Sequence, residues 1–142
     1  MKNFLALMIT LVGINASASI NWVDYSDHAF SQARKQGKKI VLGFHKKGCA
    51  TCHAQADVLE ATGLDQYEKI SFFKLIYGKT EHEKIYKKYK VNKWAVLLML
   101  DEEGNKIPGA KVGAFDTGLK ALRKFSDYAN VKLRDNILGF KY

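Results

Sequence analysis

Cysteine, proline and acidic residues are what this 142-residue chain has least of: two cysteines, one proline and fourteen acids, set against twenty-three lysines and arginines. The cysteines are Cys49 and Cys52, and nothing is left over once they are paired. No second Cys-x-x-Cys exists, so a zinc site would be short of ligands: the pair and a neighbouring His53 do not complete a set of four. No metal and no cofactor is therefore expected. The sole proline, Pro108, lies far from the cysteines in sequence. Internal repeats, low-complexity segments and linkers are absent too. The one long apolar run, Phe4 to Ile14, is shorter than the roughly 20 residues a membrane span needs, and nothing after Ser19 offers another.

That early run reads instead as a leader. Met1-Lys2-Asn3 gives a short basic start, and Ala16-Ser17-Ala18 the small residues a signal peptidase accepts, so residues 1–18 are predicted to be a signal peptide cleaved after Ala18. The expected location is periplasmic or secreted, where disulfides persist and no membrane span remains after cleavage. The rest of the chain is long enough for one domain with a real core. Its surface is basic, with a formal net charge of +9 for the whole sequence. Lys84, Lys87, Lys88, Lys90 and Lys93 interleave with Tyr86 and Tyr89, as in a nucleic-acid patch. A helix with Ile85 and Tyr89 inward must show soluble residues outward, and this solvated-face reading is preferred, with no nucleic-acid partner expected.

From Ser19 to about Tyr128 strands alternate with helices. Ile20 to Trp22 predicts a short edge strand. Ser26 or Asp24 can cap a helix carrying Ala29, Phe30 and Ala33 on one face and ended by Gly37. Lys39 to His45 is a continuous apolar run of the kind buried on both sheet faces. Cys49, Cys52, Ala56 and Leu59 recur at helical spacing, which places the cysteine pair in the first turn of a helix reaching Glu60 or Ala61. Phe72 to Ile76 predicts the next strand, and Thr80 with Glu83 a capping box opening the lysine-rich helix. Ala95 to Leu100 predicts a buried strand, followed by a hairpin turn at 101–105, Lys106-Ile107 and a strand over Lys111 to Phe115. Asp116 or Thr117 then caps a last helix with Leu119, Leu122, Phe125 and Tyr128 inward. This order implies a mixed sheet covered on both faces.

The local sequence Cys49-Ala50-Thr51-Cys52-His53 admits several chemistries. Two thiols at a helix start suit thiol–disulfide exchange. The unpaired N–H groups and positive dipole end there favour an anion, so Cys49 is expected to ionise below the free-thiol value of about 8.5, helped by His45, Lys46, Lys47 and His53. Cys52, one turn along, would resolve the mixed disulfide. A second reading is a structural disulfide that never turns over, in a binding or assembly module. A third is a c-type haem electron carrier, since Cys-x-x-Cys-His is also the haem attachment motif, with His53 proximal and Met99 or His82 distal. Against it, the motif follows a strand well into the chain, and Met99 lies in a buried run. His28 and His82 are read as surface residues.

With Lys38-Lys39-Ile40-Val41-Leu42-Gly43-Phe44 leading to the cysteines, then Ala95-Val96-Leu97-Leu98-Met99-Leu100-Asp101 with Gly104, and Val112-Gly113, the chain resembles the thioredoxin-like family, especially its secreted members. The resemblance implies an α/β thioredoxin-like fold over residues 19–130, a central mixed β-sheet flanked by helices on both faces, with 131–142 as a C-terminal extension. It also implies an extracytoplasmic thiol–disulfide oxidoreductase with Cys49 and Cys52 catalytic, exchanging with protein thiols or disulfides and an upstream redox partner. His53, Gly48, Lys47, Trp94 and Ala95 fall at tuning or substrate-facing positions. Three positions depart from the family. Gly48 stands where a tryptophan usually precedes the first cysteine, and Gly43 where thioredoxins proper carry a buried acid. Ala95 stands at the family's cis-proline. A cis bond between Trp94 and Ala95 would cost about 2.5–4 kcal/mol, so a trans bond and a differently shaped loop are expected.

Overall fold

A computed structural model describes residues 20–62 and 69–113. The strands are β1 (Trp22–Asp24), β2 (Lys39–His45), β3 (Ile70–Ile76), β4 (Val96–Leu100) and β5 (Lys106–Val112). The helices are α1 (Asp27–Lys35), α2 (Ala50–Thr62) and α3 (Thr80–Lys88). The leader, the last helix expected from Asp116 onward and the extension at 131–142 lie outside the described residues.

The five strands form one mixed sheet in the order β1-β3-β2-β4-β5. β3 runs parallel to β1 and β2, while β4 runs antiparallel to β2 and β5. The period-2 alternation of strand side chains divides the core in two. Ile40, Leu42 and Phe44 of β2, with Phe73, Leu75, Val96, Leu98 and Leu100, pack under α1 and α3. Val41, Phe72, Leu97 and Met99 face the other way, with Leu59 of α2 and Ile20. Both faces are covered, which is why β2 and β4 read as unbroken apolar runs. The fold is thioredoxin-like α/β, as the sequence implies.

Local details agree in part. Ser26 caps α1, its Oγ accepting the Ala29 N–H at 3.1 Å, and the helix stops ahead of Gly37 with Lys38 N–H bonded back to Ala33 O. The Thr80–Glu83 capping box does not form. Lys79 holds the cap position with an extended backbone and no side-chain cap bond, so Thr80 is already helical; Lys79 pairs with Glu81 instead. β5 is one strand rather than two pieces. Leu98 faces Lys111 and Leu100 faces Lys106, so the residues around Pro108 bulge out of register. A proline is tolerated there because β5 is an edge strand.

His82 is not a surface residue. It is 1% exposed, because α3 begins at Thr80 and places His82, Ile85 and Tyr86 on its inner face. Its Nδ1 accepts the Ile76 N–H at 2.9 Å. His28 is exposed.

Candidate active site at the Cys49–Cys52 disulfide

Cys49 and Cys52 are joined by a disulfide, their Cα atoms 5.3 Å apart. β2 delivers the chain to this point, and a tight turn at 46–49 follows, closed by the Cys49 N–H bonding to Lys46 O at 3.2 Å. Gly48 lies in that turn with φ +72°, in the left-handed region. A tryptophan there would be strained, which accounts for one departure from the family pattern. Cys49 immediately precedes the first helical residue of α2, and its Sγ accepts the Cys52 N–H at 3.1 Å. A backbone donor at a helix start thus points at the sulfur of half-buried Cys49, while Cys52 is only 2% exposed. The pair is asymmetric: Cys49 is partly exposed, Cys52 enclosed.

Gly43 is explained by crowding. A Cβ built there would lie 2.5 Å from His45 Nε2 and 2.7 Å from the Trp22 ring. The space above residue 43 is filled by these two rings, which meet edge-on at 5.3 Å. His45 Nε2 and Trp22 Nε1 are buried and without hydrogen-bond partners among the described residues. Burial first, then the charges of Lys74 and His53, pushes the His45 imidazole down to about 4. His45 is therefore neutral at neutral pH and adds no cationic pull on Cys49, contrary to the sequence expectation. Lys46, Lys47 and His53 remain exposed around the turn.

The Trp94–Ala95 bond is trans, since the described residues contain no cis peptide. Ala95 has φ +54°, a left-handed conformation costing an alanine about 1–2 kcal/mol, and it is 1% exposed. A proline, locked near −65°, could not replace it in this loop as it stands. The loop is tied to the cysteine helix by Gln55, whose Nε2 donates to Ala95 O at 2.9 Å and to Gly113 O at 3.3 Å. Sequence reasoning missed Gln55; the available signal was a polar residue three places after Cys52, beside the inward stripe. Trp94 turns outward, 38% exposed, with the Lys46 ammonium 4.1 Å from its ring centroid.

The distal haem candidates are placed elsewhere. Met99 is fully buried in the core with Val41 and Leu97. His82 sits in α3, on the opposite side of the sheet, with Nδ1 already engaged. His53 lies exposed on α2. Among the described residues no group of three or more His, Cys, Asp or Glu is placed to hold a metal, and no helix is long and apolar enough to cross a membrane.

A mixed sheet with a Cys-x-x-Cys disulfide opening the helix after its central strand defines a thioredoxin-fold chain. Solved structures similar to it include a Trxlp from Edwardsiella tarda EIB202, at 19% identity, covering 74% of this chain and 94% of that one with a TM-score of 0.57. A DsbH oxidoreductase matches at 17% identity over 93% and 96% of the two chains, with a TM-score of 0.62. A putative disulphide-isomerase from Bacteroides thetaiotaomicron matches at 18% identity over 81% and 97%, with a TM-score of 0.61. No protein-family model and no curated protein sequence matches the chain.

Proposed function

We propose that this protein is an extracytoplasmic thiol–disulfide oxidoreductase. The observation that carries the reading is the asymmetric pair: Cys49 half-buried at the helix start with a backbone N–H on its sulfur, Cys52 enclosed one turn on. In the reduced form the helix-end donors stabilise negative charge on Cys49. Its thiolate attacks one sulfur of a partner's disulfide, a Cys49–partner bond forms, and the partner's other sulfur leaves as a thiolate that takes a proton from water. The Cys52 thiol then gives its proton to water, its sulfur attacks Cys49 Sγ, and the partner's remaining sulfur is expelled as a thiolate that takes up a proton. Two electrons pass from the dithiol to the partner; run backwards, the same steps oxidise a partner dithiol. The DsbH oxidoreductase and the putative disulphide-isomerase of the same fold support this reading. The extracytoplasmic part rests on the basic, apolar and small-residue segments of Met1–Ala18.

The test is trapping. Cys52→Ser should accumulate a covalent adduct with a disulfide-containing protein substrate that dithiothreitol releases, and Cys49→Ser should form none. Equal trapping by both variants, or by neither, would sink the proposal and favour the locked disulfide of a binding module.

A further inference from the structure

Beside the cysteine turn lies a surface the redox steps do not use. Tyr77 and Trp94 are large aromatics exposed to 45% and 38%. They meet edge to face at 5.2 Å, and Tyr77 continues to Tyr86 at 5.7 Å and Tyr86 to Phe44 at 4.7 Å. This ladder of rings runs from the surface into the core, so the exposed members are held rather than free to swing. Tyr77 is fixed further by its N–H, which bonds to His45 O at 2.8 Å.

Next to the ladder an open groove of about 660 Å³ runs between the turn after β3 and the end of α3, lined by Tyr77, Tyr86, Lys87, Lys90, Val91 and Glu83. Its far wall is shaped by the end of the helix. The Lys90 N–H bonds to Lys87 O at 3.1 Å and the Val91 N–H to Tyr86 O at 2.9 Å, with Lys90 held at φ +53°.

The groove is basic. Lys87 and Lys90 line it, exposed Lys93 follows Asn92 of that lining, and Lys46 and Lys47 are exposed in the cysteine turn; among the described residues Glu83 is the only acid in its lining. Three lysines outside its lining are neutralised by acids, Lys74 by Asp24, Lys79 by Glu81 and Lys84 by Asp27. Among the described residues the five named before them have no acidic partner. The link to the cysteine turn runs through the rings: the Lys46 ammonium sits over Trp94, Trp94 packs on Tyr77 of the groove lining, and Lys46 belongs to the turn that ends at Cys49.

We propose that this lysine-rimmed aromatic groove docks the polypeptide that reacts at Cys49, and selects partners whose cysteine is flanked by an acidic segment. The proposal rests on the thiol–disulfide reading and adds the class of partner to it. Nucleic acid fits less well. One face of Trp94 is taken by the Lys46 ammonium and Tyr77 packs against the same ring, so the ring is not left free to stack on a base. An acidic peptide needs only cations at the rim and an apolar floor beside them, which attract it from solution and set its register.

The experiment uses two disulfide-containing peptides, identical except that aspartates or lysines flank the cysteine. Their rates are normalised to each protein's own rate with the small uncharged disulfide of 2-mercaptoethanol, which reads the redox pair alone. The acidic peptide should react on the order of ten-fold faster at low salt, with the preference shrinking as salt shortens the screening length from about 30 Å at 0.01 M to about 8 Å at 0.15 M. Lys87→Glu with Lys90→Glu should remove most of the preference. The same change of net charge made outside the groove lining, Lys35→Glu with Lys106→Glu, should preserve most of it. Equal peptide rates with normal turnover of the small disulfide would overturn the docking surface and leave the redox reading standing. Equal loss in the two double variants would overturn it too, by showing a whole-molecule field. So would tight binding to phosphatidylglycerol vesicles, lost in the groove variant, without any peptide preference. Failure with the small disulfide itself overturns both readings.

Discussion

Gly43 and His45 lie two residues apart on β2 and so share the sheet face that α2 covers. The glycine is needed because the histidine and Trp22 occupy its side-chain space. His45 is neutral at neutral pH for the same reason: burial first, then the nearby Lys74 and His53, push it down to about 4 from an ordinary value near 6.5. The sign of the pH effect follows. Between those values the unfolded chain binds a proton that the folded chain refuses, so this contribution is complete above about pH 6.5 and is lost as pH falls toward 4. The loss is on the order of 2–3 kcal/mol. Urea unfolding at pH 7.5 and 4.5 should show a larger drop for the wild type than for His45→Gln, which keeps a polar side chain without a proton to gain. Exposed Asp27 and half-buried Asp101 are held below the usual carboxylate range by hydrogen bonds, chiefly from Lys84 and Asn105 respectively. Their losses begin at lower pH and are common to both proteins. Parallel drops would refute the role given to His45.

Between elements, Gln55 is the one side chain shown bridging α2, the loop before β4 and the end of β5. It satisfies the carbonyl of an alanine held at positive φ and almost wholly buried. Gln55→Ala would leave that carbonyl unpaired and should destabilise the fold by about 1–3 kcal/mol. Gln55→Glu should be worse, since a carboxylate oxygen would face two carbonyl oxygens. Denaturant midpoints with an unchanged m-value are the measurement; a loss below about 0.5 kcal/mol would mean that water replaces the amide without cost. Gln55 also shows why sequence reading stops where it does. Apolar runs and Ser26 announce β2, β4 and the start of α1 because burial period and capping are local properties. A bond from residue 55 to residues 95 and 113 has no local signature. His82 belongs between these cases: its spacing to Ile85 and Tyr86 matches an inward helix face, but its polarity argues for solvent until the Ile76 N–H is seen beneath it. The capping box failed because the backbone at Lys79, rather than the Thr80 hydroxyl, sets where α3 begins.

Across the whole molecule, apolar packing on two sheet faces holds the fold, and charge works against it. The sequence carries a formal net charge of +9. The ion pairs among the described residues, Lys74–Asp24, Lys79–Glu81 and Lys84–Asp27, join side chains from 40% to 72% exposed. Pairs of that kind are each worth roughly 0–1 kcal/mol. Repulsion among the remaining lysines acts over longer distances, and screening weakens it as it weakens the pairs. The two effects have opposite signs under added salt, and the surplus of cations decides which wins. Raising NaCl from about 10 mM to about 150 mM shortens the screening length from about 30 Å to about 8 Å, which removes most long-range repulsion but less of an attraction between touching groups. The melting temperature should therefore rise over this range. Lys87→Gln with Lys90→Gln should raise it at low salt and reduce its dependence on salt, because that change relieves repulsion without breaking an ion pair seen among the described residues. A melting temperature that falls with salt would mean that paired charges outweigh the lysine excess, and that the lysine-lined groove is not an electrostatic load on the fold.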